Sequence, residues 1–207
     1  MYEAFIAAFI ALFVIIDPIG IAPVFAGLTQ GTPKSHKRNM AVKGSIVGTL
    51  ILVFFALVGE AFLGALGISM DALRVAGGVM LFIIAIEMVF EKRTERKQDA
   101  AERIDEYFED ISVFPIGLPL LAGPGSIATI MLLVANHNGD YAGQAGVLAA
   151  LGLVMLITLL TFLVAGKVMD FLGPTVNAVL TRLLGVILAA LAFQYILDGL
   201  KATFIGS

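Results

Sequence analysis

The chain has 207 residues, 59% of them hydrophobic and only 14% charged, with a formal net charge of −3. A water-soluble domain carries about 25% charged residues, so this composition excludes an ordinary soluble protein, and the negative balance argues against nucleic acid as a partner. The absence of cysteine removes disulfides and thiolate metal sites, and His36 and His137 stand alone in segments that read as loops, which disfavours a zinc centre.

The charges that exist are clustered. Ala4–Pro33 holds only Asp17, Gly44–Met70 holds only Glu60, and Ile111–Gly139 and Tyr141–Gly166 hold no Asp, Glu, Lys or Arg. Such windows reach the roughly 20 residues a helix needs to cross a bilayer. In chain order they predict six spans, at about 4–29, 43–65, 72–91, 111–136, 141–166 and 177–199. Met-Tyr-Glu at the start lacks a basic stretch ahead of the apolar run, so the first window reads as a span and not as a cleavable signal.

The basic residues punctuate these spans unevenly. Lys34, Lys37, Arg38 and Lys43 fall in the first predicted loop, and Lys92, Arg93, Arg96, Lys97 and Arg103 in the third. Lys167 and Arg182 flank the fifth, so 11 of the 13 basic residues lie on one side. The positive-inside rule then places the odd-numbered loops in the cytoplasm and both termini on the outer face. Glu60, Arg74, Lys167 and Arg182 read as interface anchors near span ends. The Glu91–Asp110 stretch, with five basic and eight acidic residues, reads as a solvated linker, a docking helix being the alternative. It divides the chain into a first three-helix unit over 1–91, a charged cytoplasmic linker over 92–110 and a second unit over 111–207.

The two units resemble each other at an offset of 106–107 residues. Asp17-Pro18-Ile19-Gly20-Ile21-Ala22 aligns with Gly123-Pro124-Gly125-Ser126-Ile127-Ala128, and Leu57-Val58-Gly59 with Val164-Ala165-Gly166. Leu66-Gly67 aligns with Leu172-Gly173, and Gly78-Val79-Met80-Leu81 with Gly185-Val186-Ile187-Leu188. With three spans per unit, the second must enter the membrane upside down relative to the first. The predicted fold is therefore an all-α membrane protein of six transmembrane helices in two inverted three-helix repeats, an architecture common among secondary transporters. The first and fourth helices are predicted to break. Pro18, Gly20 and Pro23 interrupt one, and Pro115, Gly117, Pro119, Gly123, Pro124 and Gly125 the other. Each interior proline costs about 3 kcal/mol or more, and freed backbone groups at membrane depth survive only against protein or a water-filled cavity.

Asp17-Pro-Ile-Gly-Ile-Ala-Pro23, Ala76-Gly-Gly-Val-Met-Leu-Phe82, Pro119-Leu-Leu-Ala-Gly-Pro-Gly125 and the ending Gln194-Tyr-Ile-Leu-Asp-Gly199 resemble the MarC family of bacterial inner-membrane proteins over essentially the whole chain. That resemblance implies six spans, a bacterial inner (plasma) membrane location, and kinship with lysine exporters and with proteins assigned to small neutral amino acid uptake. Many members of the family carry Asn at the position of Asp17.

The candidate site is built from the two breaks. Asp17 lies near the middle of its span, where an ionisable group costs about 2.5–3.5 kcal/mol and suggests function; followed by Pro18, it is equally a cap for a new helix. Gly123 leaves the start of the second half-helix unneutralised, and Ser126 and Thr129 add hydroxyls. Asp17, Pro18, Gly20, Gly123, Pro124, Gly125, Ser126 and Thr129 are thus the candidate binding residues for a zwitterion, its carboxylate at Gly123–Ser126 and its ammonium near Asp17. The bland alternative makes both motifs kinks for close packing. Glu87, opposite Gln194 in the repeat, is read either as a coupling or gating pair or as an interfacial side chain. No Walker loop, dinucleotide fingerprint or Gly-x-Ser-x-Gly elbow occurs, and Ser126 has no His or Lys base in either broken span. A non-enzymatic transporter without cofactor, coupled to protons or sodium, is the leading expectation. A lipid-phosphate carrier or a non-transporting stress or resistance factor is the alternative.

Overall fold

The computed structural model describes residues 1–90 and 112–205, so the linker predicted at 92–110 lies outside the described residues. Every regular element among the described residues is helical. In chain order these are α1 (Tyr2–Ile16), α2 (Pro18–Leu28), α3 (Lys34–Ala65), α4 (Met70–Val89), the π-wound α5 (Ser112–Leu121), α6 (Pro124–Ala135), α7 (Tyr141–Leu163) and α8 (Ala165–Ile205). Five stretches are long and apolar enough to cross a membrane: Tyr2–Leu28, Lys34–Ala65, Met70–Val89, Tyr141–Leu163 and Thr175–Phe204. Pro124–Ala135 is a shorter apolar helix, so the fourth of the six expected spans is not among these five and is divided between α5 and α6.

Hydropathy marked the crossings better than the helix ends. Lys34, Lys37, Arg38 and Lys43, with His36, form the first turns of α3 and not a loop. The helix begins directly after Pro33 because nothing in that polar sequence breaks it, and a charged turn can stand in water on top of an apolar span. α7 ends at Leu163 and α8 resumes at Ala165, bending at Gly173, whose φ of 66° and ψ of 167° suit a residue without a Cβ. In α5 the Ala122 N–H donates to Gly117 O, five residues back, at 3.1 Å. Pro115 and Pro119 supply no N–H to a normal helical ladder, and the wider winding accommodates the gaps.

α1 and α2 form the central crossing: 61% of its apolar window is buried, against 22% for α3. α7 runs parallel to it, with Gly146 against the backbone of Met1 and Phe25 stacked on Phe162 at 4.5 Å. α3 runs parallel to α5 and α6, Gly48 lying on Leu121 and Gly59 on Met131. α4 and α8 pair antiparallel, with Gly78 beside Ala192 and Ile196, Gly185 beside Ala85 and Met88, and Gly199 beside Asp71 and Arg74. Small residues recur every seven positions along that seam, at Gly78 and Ala85 facing Gly185, Ala192 and Gly199. Between helices in lipid, where no hydrophobic force drives association, such residues let backbones approach closely.

The outer faces are apolar. Ile46, Leu50, Phe54 and Leu57 on α3 are 52%, 62%, 56% and 66% exposed at helical spacing. A stripe of this kind would be an association surface in water; on a membrane helix it faces lipid.

Candidate functional site

The first break is a single residue. Asp17 has φ 57° and ψ 65°, and is the sole non-glycine residue with positive φ among the described residues. Its backbone N–H closes α1 by donating to Phe13 O at 2.9 Å. Its Oδ1 opens α2 by accepting from the Gly20 N–H at 3.0 Å. Asp and Asn are the side chains that tolerate the left-handed region and also cap helix starts, so one residue ends one helix and begins the next. Pro18 follows at the first helical position, where its missing N–H is no loss. Gly20 is needed because a Cβ there would meet the Asp17 carboxylate. All three residues are buried, Asp17 to 3% exposure.

The second break lies at Ala122–Gly123, between α5 and α6. Gly123, extended at φ −76° and ψ 167°, caps α6 without a side-chain hydrogen bond, and Pro124 takes the first position. The first N–H groups of α6 therefore keep their partial positive charge. Pro124 is exposed and Gly123 half-buried, while Gly125, Ser126 and Thr129 are buried. The Thr129 hydroxyl, at 0% residue exposure, has no hydrogen-bond partner. A buried hydroxyl left unpaired costs about 1–3 kcal/mol, and a bound polar group would relieve it.

The start of α6 packs near the first break. A Cβ at Gly125 would touch the side chains of Ile15, Ile84 and Leu81, so the start of α6 rests on the last turn of α1, two residues before Asp17. α4 supplies the third wall: Gly77 lies against Ala128 and Leu132, and Ile84 against Gly125. Glu87, half-buried, sits one turn past Ile84 on the same helix, beyond the start of α6. Gln194 is not brought to this group. It is exposed on α8, and its Nε2 donates to Asp198 Oδ1 at 2.8 Å.

Other polar groups tie helix ends. Arg74 Nη1 meets Asp71 Oδ1 at 2.6 Å, Arg74 Nη2 donates to Asn136 Oδ1 at 2.8 Å, and Asn138 Nδ2 donates to Glu60 Oε1 at 3.0 Å. Sequence reasoning overlooked Ser45, whose buried Oγ has no hydrogen-bond partner. It lies on α3 one turn before Gly48, which packs on Leu121 and Gly117 of α5. The available signal was its place inside the Gly44-x-x-x-Gly48 pair, a pattern suited to close helix contact.

A bundle of long apolar helices with lipid-facing outer surfaces and a buried, interrupted central crossing defines a multi-pass integral membrane protein. The chain belongs to the MarC family of integral membrane proteins, which it matches over residues 2–204. It is 40% identical to the UPF0056 membrane protein MJ1677 of Methanocaldococcus jannaschii over 207 residues, covering 98% of both chains. It is 36% identical to the UPF0056 membrane protein YvbG of Bacillus subtilis, covering 99% of this chain and 97% of that one. The UPF0056 membrane protein PYRAB13050 of Pyrococcus abyssi is 32% identical, with 98% of this chain and 96% of the relative covered. No solved structure matches the chain.

Proposed function

We propose that this protein is a secondary transporter of a small zwitterionic solute, with neutral amino acids as the substrate class. The observation that carries the reading is the packing of the uncapped N-terminus of α6 on Ile15, two residues before the Asp17 that opens α2. A helix N-terminus carries roughly half a positive charge, which suits a substrate carboxylate at Gly123–Ser126. Asp17 keeps Oδ2 for an ammonium group while Oδ1 holds the cap. The unpaired Thr129 hydroxyl offers one further contact.

An inverted repeat is supported by how the helices pair. With α1 to α4 taken as the counterparts of α5 to α8, α3 on α5 mirrors α7 on α1, α3 on α6 mirrors α7 on α2, and α4 on α6 mirrors α8 on α2. The third spans of the two units pair antiparallel with each other, as a two-fold axis in the membrane plane requires. Rocking of one unit against the other would then expose the site to each side in turn. Coupling to protons or sodium falls to Glu87, with Gln194 as its neutral counterpart. The concentration of Lys and Arg on one side supports a cytoplasmic assignment for that side in a bacterial inner membrane, with both termini outside.

Uptake of labelled alanine into proteoliposomes tests this. The wild-type chain is expected to take up alanine under a proton or sodium gradient, with competition by glycine and serine. Gly123→Leu should abolish uptake. Asp17→Asn should lower it about 10- to 100-fold, the value of a hydrogen bond to a charged group. No wild-type uptake under either gradient would overturn the reading and turn attention to a lipid-phosphate carrier or a non-transporting factor.

A further inference from the structure

We infer that a basic cavity at the ends of α2, α3 and α7 binds the phosphate headgroup of an anionic phospholipid. The cavity measures about 740 Å³ and is lined by Lys34, Lys37, Arg38 and Lys167, with Phe25 and Phe162 among its apolar residues. The two rings stack at 4.5 Å with 14° between their planes and are 2% and 3% exposed, so they form a floor. Lys34, Arg38 and Lys167 are exposed and Lys37 half-buried, so the cations form the rim. Among the described residues, no Asp or Glu belongs to the lining. Four like charges around one cavity repel one another, and an anion seated among them removes that repulsion.

Two more features favour a lipid over a bare ion. The cavity lies where the apolar runs of α2 and α7 end, at Leu28 and Leu163, and where α3 begins. That is the level at which a crossing helix meets headgroups. α3 starts without a side-chain cap, so its positive end adds to the four cations. Inorganic phosphate has nothing to place against a floor of phenyl rings, whereas the glycerol and first methylenes of a lipid do. Basic pockets between membrane helices hold anionic headgroups in this way, each Lys or Arg contributing about 1 kcal/mol, or about fivefold in affinity. The site lies at the opposite end of α2 from Asp17, and the inference stands whether or not the protein transports amino acids.

Native mass spectrometry of the full chain in detergent, with dioleoylphosphatidylglycerol against dioleoylphosphatidylcholine, tests the site. The wild type should retain the anionic phosphatidylglycerol preferentially. Lys37→Gln should weaken retention about fivefold, and Lys37→Gln with Arg38→Gln about 25-fold. Lys201→Gln, near the far end of α8, should leave retention unchanged. Melting temperatures monitor folding, and Lys167→Gln on a different helix repeats the test should the double variant melt early. Equal retention of both lipids, or retention unaffected by loss of the rim cations, would overturn the assignment. So would displacement of the lipid by an equal concentration of inorganic phosphate, which would mark a free-anion site.

Discussion

Asp17 performs two backbone tasks at once, and separating them from its charge is the decisive experiment at this scale. Asn shares both its left-handed tolerance and its capping oxygen. Asp17→Asn is therefore expected to melt within a few degrees of the wild type in detergent. Asp17→Ala loses the cap, about 0.5–2 kcal/mol, and the side chain that eases φ 57°, and should melt clearly lower. If both variants melt together with the wild type, the αL junction is not what holds α1 and α2 in line. The Asp17-Pro18 pair was legible in the sequence as a cap, because N-cap and first-position preferences are local. Its left-handed backbone was not, because that depends on where α1 ends, which the continuous apolar run from Ala4 to Ile16 does not mark.

At the scale of helices, the α4–α8 seam separates glycines that are required from glycines that are incidental. A Cβ at Gly185 would sit 2.9 Å from Met88 Cβ and 3.1 Å from Ala85 O, and one at Gly78 2.7 Å from Ala192 O. Backbone cannot rotate out of the way, so Gly185→Leu is expected to destabilise by about 1–3 kcal/mol or more through overpacking. Gly152 in α7 has nothing within 4 Å of that position, and Gly152→Ala should stabilise by about 0.5–1 kcal/mol from helix propensity alone. Thermal unfolding of the two variants side by side checks the contrast, and equal melting points would contradict the seam. The repeat alignment had already placed Gly78 opposite Gly185, but it could not show that the two helices carrying them would pair. Alignment reports sequence likeness, whereas pairing depends on which faces are small in three dimensions. The π-wound α5 was equally hidden: its prolines announced a break, but not the wider winding that absorbs it.

For the whole molecule, the apolar windows matched five long crossings, since transfer of some 20 residues into lipid is a coarse and additive effect; the expected fourth span is divided between α5 and the short α6. They missed the charged first turns of α3, because helix propensity carries on where hydropathy stops. They also could not show that Lys34, Lys37, Arg38 and Lys167, distant in sequence, would share one cavity. The absence of cysteine lets orientation be read with single introduced thiols. Ser35→Cys in α3 and His137→Cys after α6 lie on opposite sides of the proposed topology. A membrane-impermeant maleimide added to intact cells should label Cys at 137 and spare Cys at 35; the reverse pattern would invert the molecule.

The same clean background permits the most direct test of the central claim, that a zwitterion sits at the start of α6. Gly123 is half-buried and has φ −76°, so Gly123→Cys places one thiol at the proposed carboxylate site without backbone strain. Its rate of modification by N-ethylmaleimide in proteoliposomes should fall severalfold when alanine is present, and Asp17→Asn in the same background should weaken that protection. A modification rate indifferent to alanine, glycine and serine at concentrations up to tens of millimolar would contradict the account.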